Sequence, residues 1–115
     1  MGDLSRFTDR ILKFREERNW KQFHTTKDMM LSLMLEAAEL AEHSQWKSEA
    51  EFQEDLSRAR PEIGEELSDI FYWTLLIAND LGIDLGDAFE KKMLKNEGKY
   101  PANRAKGSNR KYDQL

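Results

Sequence analysis

Residues 60–78 read RPEIGEELSDIFYWTLLIA, and their spacing decides the fold. At 100° per residue, Glu62, Glu65, Glu66 and Asp69 fall within about 100° of arc on one helix face, which runs on into Trp73 and Leu76. Such a stripe works against its own helix. Glu62/Glu66 and Glu65/Asp69 are like-charge pairs four residues apart, Glu62/Glu65 and Glu66/Asp69 are three apart, and each pair costs roughly 0.2–0.5 kcal/mol. Pro61 suits the first turn of a helix, where the macrodipole favours Glu62 and Glu65. Glu66 and Asp69 lie beyond that turn and require a cation or a basic partner. Over residues 70–78 the helix is apolar almost all round, which makes it central and predicts that another subunit shares it. Gly64 costs the helix interior about 1 kcal/mol and predicts a close helix crossing beside the acidic groups.

A predicted helix over residues 27–45 repeats the pattern. Leu31, Met34, Leu35, Ala38 and Ala41 form its expected core face, while Glu36 and Glu39 lie on another face between Leu33, Leu40 and Leu35 and should be half-buried. A buried, unpaired carboxylate is destabilising and tends to protonate, so two together again call for a cation. His43 stands one turn past Glu39, but a single Glu/His pair at that spacing differs from the repeated Glu-x-x-His of di-iron bundles. Glu36-x-x-Glu39 and Glu66-x-x-Asp69 together make a set of four carboxylates on two helices. Oxygen-only donors select a hard cation such as Mg2+, which keeps positions open for water and phosphate oxygens.

The rest of the chain frames these two helices. Leu4, Phe7, Ile11, Leu12 and Phe14 predict an amphipathic helix over residues 4–18. NWKQFHTTK (19–27) breaks the period, and its Trp20, Phe23 and His24 either stack a base or plug the end of the bundle; Thr25 or Thr26 caps the helix that follows. Ser48 and Glu51 form a capping box for a short helix that should end before Arg60-Pro61. Gly82 stops the acidic helix and Asp84 caps a fourth, over residues 85–97, with Leu85, Ala88, Phe89 and Met93 inward and Lys91, Lys92 and Lys95 near its end. Residues 98–115 are basic and aperiodic, a composition that favours a disordered tail over one laid on the acidic surface. The expectation is one all-α domain of 115 residues, a four-helix bundle-like fold.

Composition excludes several classes of function. A net charge of −4 with 35% charged residues does not describe a face for a nucleic-acid polymer. Without cysteine there is no disulfide, thiolate metal site or cysteine nucleophile, and a reducing cytoplasm is compatible. MGDLSRFTDR has no apolar leader core, and the longest uncharged run, residues 70–79, is about half of a membrane span, so a cytoplasmic protein is expected.

The stretches ERNWKQFHTTK, LEAAELAEHSQWKS, EELSDIFYW, KMLKNEGKYP and KGSNRKYDQL resemble, over nearly the whole chain, the all-α MazG-like nucleoside triphosphate pyrophosphohydrolases, most closely their dCTP pyrophosphatase branch. The resemblance implies magnesium on Glu36, Glu39, Glu66 and Asp69. It implies Trp20 and Trp46 around the base, nucleotide contacts from Lys92, Asn96 and Tyr100, and a tail ordered over the site. Members assemble as dimers, and this branch commonly pairs dimers into tetramers. Branch members that favour dCTP place a histidine nine residues before the first tryptophan; this chain has Ile11 there, which opens the base preference to dCTP-like or modified deoxynucleotides. The implied reaction is hydrolysis of a triphosphate to monophosphate and pyrophosphate by water attacking the α-phosphorus. Glu65, or else Glu62, would orient that water, and Lys47 and Lys92 are candidates for phosphate contacts. Two rivals stand beside it. A non-catalytic helical interaction module would use the apolar face of residues 70–78 and ignore Mg2+, and a di-metal oxidase bundle would need more histidine than two.

Overall fold

The computed structural model describes residues 2–115, in which every regular element is helical: α1 (Asp3–Glu17), a 3₁₀ turn (Lys21–Phe23), α2 (Thr26–Glu42), α3 (Glu49–Asp80), α4 (Leu85–Lys99), α5 (Ala102–Ala105) and a second 3₁₀ turn (Tyr112–Gln114). They divide into a first compact unit ending at Gly82 and a second, Ile83–Leu115. No helix among the described residues is long and apolar enough to cross a membrane.

Local chemistry sets the helix ends. The Thr25 side chain accepts from the Asp28 N–H at 3.1 Å and starts α2. Ser48 and Glu51 exchange hydrogen bonds of 3.2 Å in the expected capping box. Gly82, at φ 67°, takes the left-handed turn after α3, and Asp84 caps α4 through the Asp87 N–H at 3.1 Å.

The expected break at Pro61 does not occur, because α3 runs through it as one helix of 32 residues. Proline inside a helix costs about 3 kcal/mol. Here both Pro61 and Ser57, whose carbonyl loses its partner, are exposed, so water can satisfy that carbonyl. A half-buried stripe continues past the proline: Phe52, Leu56, Ala59, Ile63, Glu66, Ile70, Trp73 and Ile77 recur at alternating spacings of four and three. Glu62 and Glu65 are therefore mid-helix residues, and the N-terminal dipole does not compensate them.

Both α1 and α2 pack on α3. Met29, Leu75, Leu76 and Ala78 are the buried apolar residues. On α2 the expected core face is the outer one: Leu31, Met34, Leu35, Ala38 and Ala41 are exposed, while Met29, Leu33, Glu36, Leu40 and His43 turn inward. The helix carries two apolar stripes of equal period, and only the partner surface on α3 chooses between them. In the apolar stretch of α3, Leu75, Leu76 and Ala78 are covered within the chain, while Phe71 is 39% exposed. Gly64 marks no close crossing, since a methyl group added there would meet nothing within 4 Å.

The sequence gives no warning that Arg15 is buried. Its guanidinium donates to both oxygens of Asp80, Nη1 to Oδ2 at 2.7 Å and Nη2 to Oδ1 at 2.9 Å, joining the last turn of α1 to the last residue of α3. These bonds hold the Asp80 carboxyl below its ordinary range, against the opposing effect of burial. The unfolded chain then binds more protons at Asp80 than the folded one, so this stabilisation is present above an ordinary Asp value of about 4 and is lost as pH falls through the lower folded one. Urea melts across that acidic window should show it. Asp80→Asn loses this part of the pH slope and about 3–5 kcal/mol at neutral pH, because a buried guanidinium is left uncompensated; parallel wild-type and variant profiles would contradict the assignment.

In the second unit, residues 98–115 form α5 and a 3₁₀ turn rather than the disordered tail expected from composition. Tyr100 meets Tyr112 edge to face at 6.2 Å, Lys99 lies 4.9 Å over the Tyr112 ring, and the Arg104 guanidinium donates to the Leu115 carbonyl at 2.7 Å. On α4, Leu85 is half-buried while Ala88, Phe89 and Met93, expected to point inward, are exposed.

Candidate functional site

Glu36 and Glu66 occupy inward positions on the paired stripes of α2 and α3, where apolar residues would ordinarily sit. Burial, followed by the charges of Glu39, Asp69 and Glu66, raises the Glu36 carboxyl above the ordinary glutamate range. The carboxylates of Glu39, Asp69 and Glu66 thus lie near enough to Glu36 to act on its charge. Glu66 Oε2 lies 2.6 Å from His43 Nε2, with the two side chains 19% and 16% exposed. Glu36 is half-buried as expected, but Glu39, one helix turn on, is exposed, as are Asp69, Glu62 and Glu65 on α3.

The donor set suits a hard divalent cation. Glu36 Oε2 is buried without a hydrogen-bond partner. Among the described residues none of the four carboxylates pairs with a lysine or arginine. Among the same residues no three His, Asp or Glu side chains converge into a ready-made cage.

Beside the carboxylates opens a cavity of about 530 Å³, a size suited to a small-molecule ligand. Glu36 and Asp69 line it together with Phe7, Ile11, Phe14, Trp20, Tyr72 and Trp73, and Arg10 and His24 complete the wall. The rings interlock edge to face: Phe14 with Trp20 at 5.6 Å, Phe14 with Tyr72 at 6.2 Å, Tyr72 with Trp73 at 5.0 Å and Trp73 with His24 at 5.3 Å. Burial, then the Arg15 charge, lowers the His24 pKa, so the ring is neutral at neutral pH.

The remaining residues singled out in the sequence belong to other elements. Trp46 follows α2 in a left-handed conformation, φ 66°, and is 92% exposed. Lys47 pairs with Asp55 at 3.0 Å. Lys92, exposed, and Asn96, half-buried, are on α4 with Tyr100 at its C-cap, all in the second unit. Sequence reasoning missed His43 as the partner of Glu66 and Tyr72 and Trp73 as cavity wall; of the three rings it placed at the base or the bundle end, Trp20 and His24 line the cavity and Phe23 is exposed. The signal for His43 is its place on the inward series of α2, seven residues after Glu36.

The MazG-like family matches residues 31–115. The dCTP pyrophosphatase 1 of Homo sapiens is 40% identical over 105 residues, 90% of this chain and 62% of that protein. The Rattus norvegicus protein of the same name is 39% identical over 105 residues, so the chain spans 62% of the length of these curated relatives. The crystal structure of a pyrophosphatase from Archaeoglobus fulgidus is similar in fold, with a TM-score of 0.82 at 35% identity, covering 88% of this chain and 94% of that one. Profile, sequence and fold agree: this chain belongs to the MazG-like family.

Proposed function

We propose that the protein is a Mg2+-dependent pyrophosphohydrolase of (deoxy)nucleoside triphosphates, dCTP-like or modified, releasing the monophosphate and pyrophosphate. The observation that carries this reading is one cavity lined both by stacked aromatic rings and by Glu36 and Asp69 of the carboxylate set. The names of the relatives, dCTP pyrophosphatase 1 and pyrophosphatase, support it.

Glu36, Glu39, Glu66 and Asp69 would hold the metal, with His43 orienting Glu66. A divalent ion bound there supplies charge neutralisation on the phosphates and acidification of water. Trp20, with the rings behind it, stacks the base. The roles of Trp46, Lys47, Lys92, Asn96 and Tyr100 toward the nucleotide rest on the family resemblance alone. Glu65 orients the attacking water and takes its proton as the new O–P bond forms at the α-phosphorus; the bond to the bridging oxygen breaks and pyrophosphate leaves with the electron pair. The absence of cysteine suits a cytoplasmic setting. A panel of canonical and modified triphosphates, assayed for pyrophosphate with and without Mg2+, tests the reading. Metal-dependent release from at least one is expected, and release from none, or equal release in chelator, would refute it.

Assembly is the second part of the proposal, and it rests on the outer face of α2. Leu31, Met34 and Leu35 are 43%, 61% and 62% exposed in a single chain, with Ala38 and Ala41 continuing the stripe. A second copy packed through a twofold axis covers this face. The expected state is a homo-oligomer, a tetramer in preference to a dimer. Leu35→Glu should shift the mass in size exclusion with light scattering toward the 13.5 kDa of one chain. A wild-type mass already at that value would contradict the assembly.

A further inference from the structure

The reading of the cavity as a nucleotide site leaves the buried Arg15–Asp80 pair unused. Resting on that reading, we propose that Asp80 is a positioning residue for the base: acting through Arg15, it fixes Trp20 in the cavity wall and so sets how tightly the nucleotide is held.

The connection is a chain of short bonds. Asp80 receives both prongs of the Arg15 guanidinium at 2.7 and 2.9 Å. The Arg15 carbonyl accepts from the Trp20 backbone N–H at 3.1 Å. Between them Asn19 turns the chain back at φ 54°, the left-handed conformation in which asparagine commonly ends a helix. The Asn19 N–H donates to the Glu16 carbonyl at 3.0 Å and closes the same turn. Trp20 then rests edge-on against Phe14 at 5.6 Å, and Phe14 against Tyr72 of α3 at 6.2 Å.

The last turn of a helix frays unless it is tied down. Most of the last turn of α1 is exposed, whereas Arg15 is 4% exposed, the one buried charged residue among those described. The tie therefore passes through the residue whose carbonyl holds Trp20. The Arg15 charge also acts on both His24 and Tyr72, so the pair lies close to two further residues of the same wall. A two-pronged guanidinium–carboxylate bond fixes direction as well as distance, which a lysine or an apolar contact does not.

A purely structural role predicts a different outcome, and one double variant separates the two. Arg15→Met combined with Asp80→Leu replaces the pair by apolar side chains, an exchange that commonly preserves or raises stability. With the full chain and Mg2+, KM for the best triphosphate should rise about tenfold while kcat stays within about twofold, because stacking is shared by ground and transition states. Hydrogen exchange at the Trp20 amide should accelerate about tenfold. Arg15→Lys, which keeps the charge but not the fork, should show the same pattern at smaller size and serves as the readout if the double variant does not fold. Unchanged KM together with unchanged Trp20 exchange in a folded variant overturns the proposal. A wild-type protein that turns over no triphosphate defeats the nucleotide reading instead. Trp20 exchange then decides alone: faster exchange upholds the tie, and unchanged exchange ends it.

Discussion

Glu36→Gln is expected to lower triphosphate turnover by about 10²-fold or more while raising the melting temperature of the metal-free protein. The two effects have opposite signs because they come from one carboxylate. Glu36 faces inward with Oε2 buried and unpartnered, and burial plus Glu39, Asp69 and Glu66 opposes its ionisation. Glutamine removes the charge and relieves that cost at nearly constant shape. It also removes an anionic oxygen from the set proposed to hold the metal, and a neutral amide oxygen is a weaker donor for a hard cation. Added Mg2+ should accordingly stabilise the wild type, by about 2.7 kcal/mol at 100 times its Kd, and the variant less. Near-wild-type turnover in Glu36→Gln, or Asp69→Asn, would remove the four-carboxylate assignment.

His43→Ala should raise the Mg2+ concentration needed for half-maximal activity by about 10–100-fold, with kcat largely recovered at saturating metal. His43 caps α2 and its Nε2 meets Glu66 Oε2 at 2.6 Å, a contact that would orient Glu66 if it holds the proposed ion. Losing such an orienting partner frees the carboxylate to rotate and typically costs that factor in metal affinity. A Mg2+ titration of activity reads the effect directly. An unchanged half-saturation point would reduce the His43–Glu66 contact to a packing detail.

The two halves of the site were unequally legible in the sequence. The i,i+3 acidic pairs at Glu36/Glu39 and Glu66/Asp69 stand out as a repeated local pattern, of which Glu36 and Glu66 turn inward. Helix type and most caps were local too, as at Thr25, Ser48 and Asp84. The face of α2 was not: its two apolar stripes have the same period, and the choice depends on α3. Pro61 misled for a similar reason. The local rule ends a helix there, but the stripe from Phe52 to Ile77 keeps its phase across the proline, and packing along it outweighs the lost bond. Nothing in the spacing of α1 marks Arg15 for burial, because its partner lies 65 residues away. Spacing cannot reveal such a pair.

Hydrolysis in ¹⁸O-labelled water, with Mg2+ and the best substrate of the triphosphate panel, tests the central claim most directly. Mass spectrometry of the products should find one labelled oxygen in the nucleoside monophosphate and none in the pyrophosphate, as attack at the α-phosphorus requires. Label in the pyrophosphate, or a nucleoside diphosphate and free phosphate as products, would contradict it.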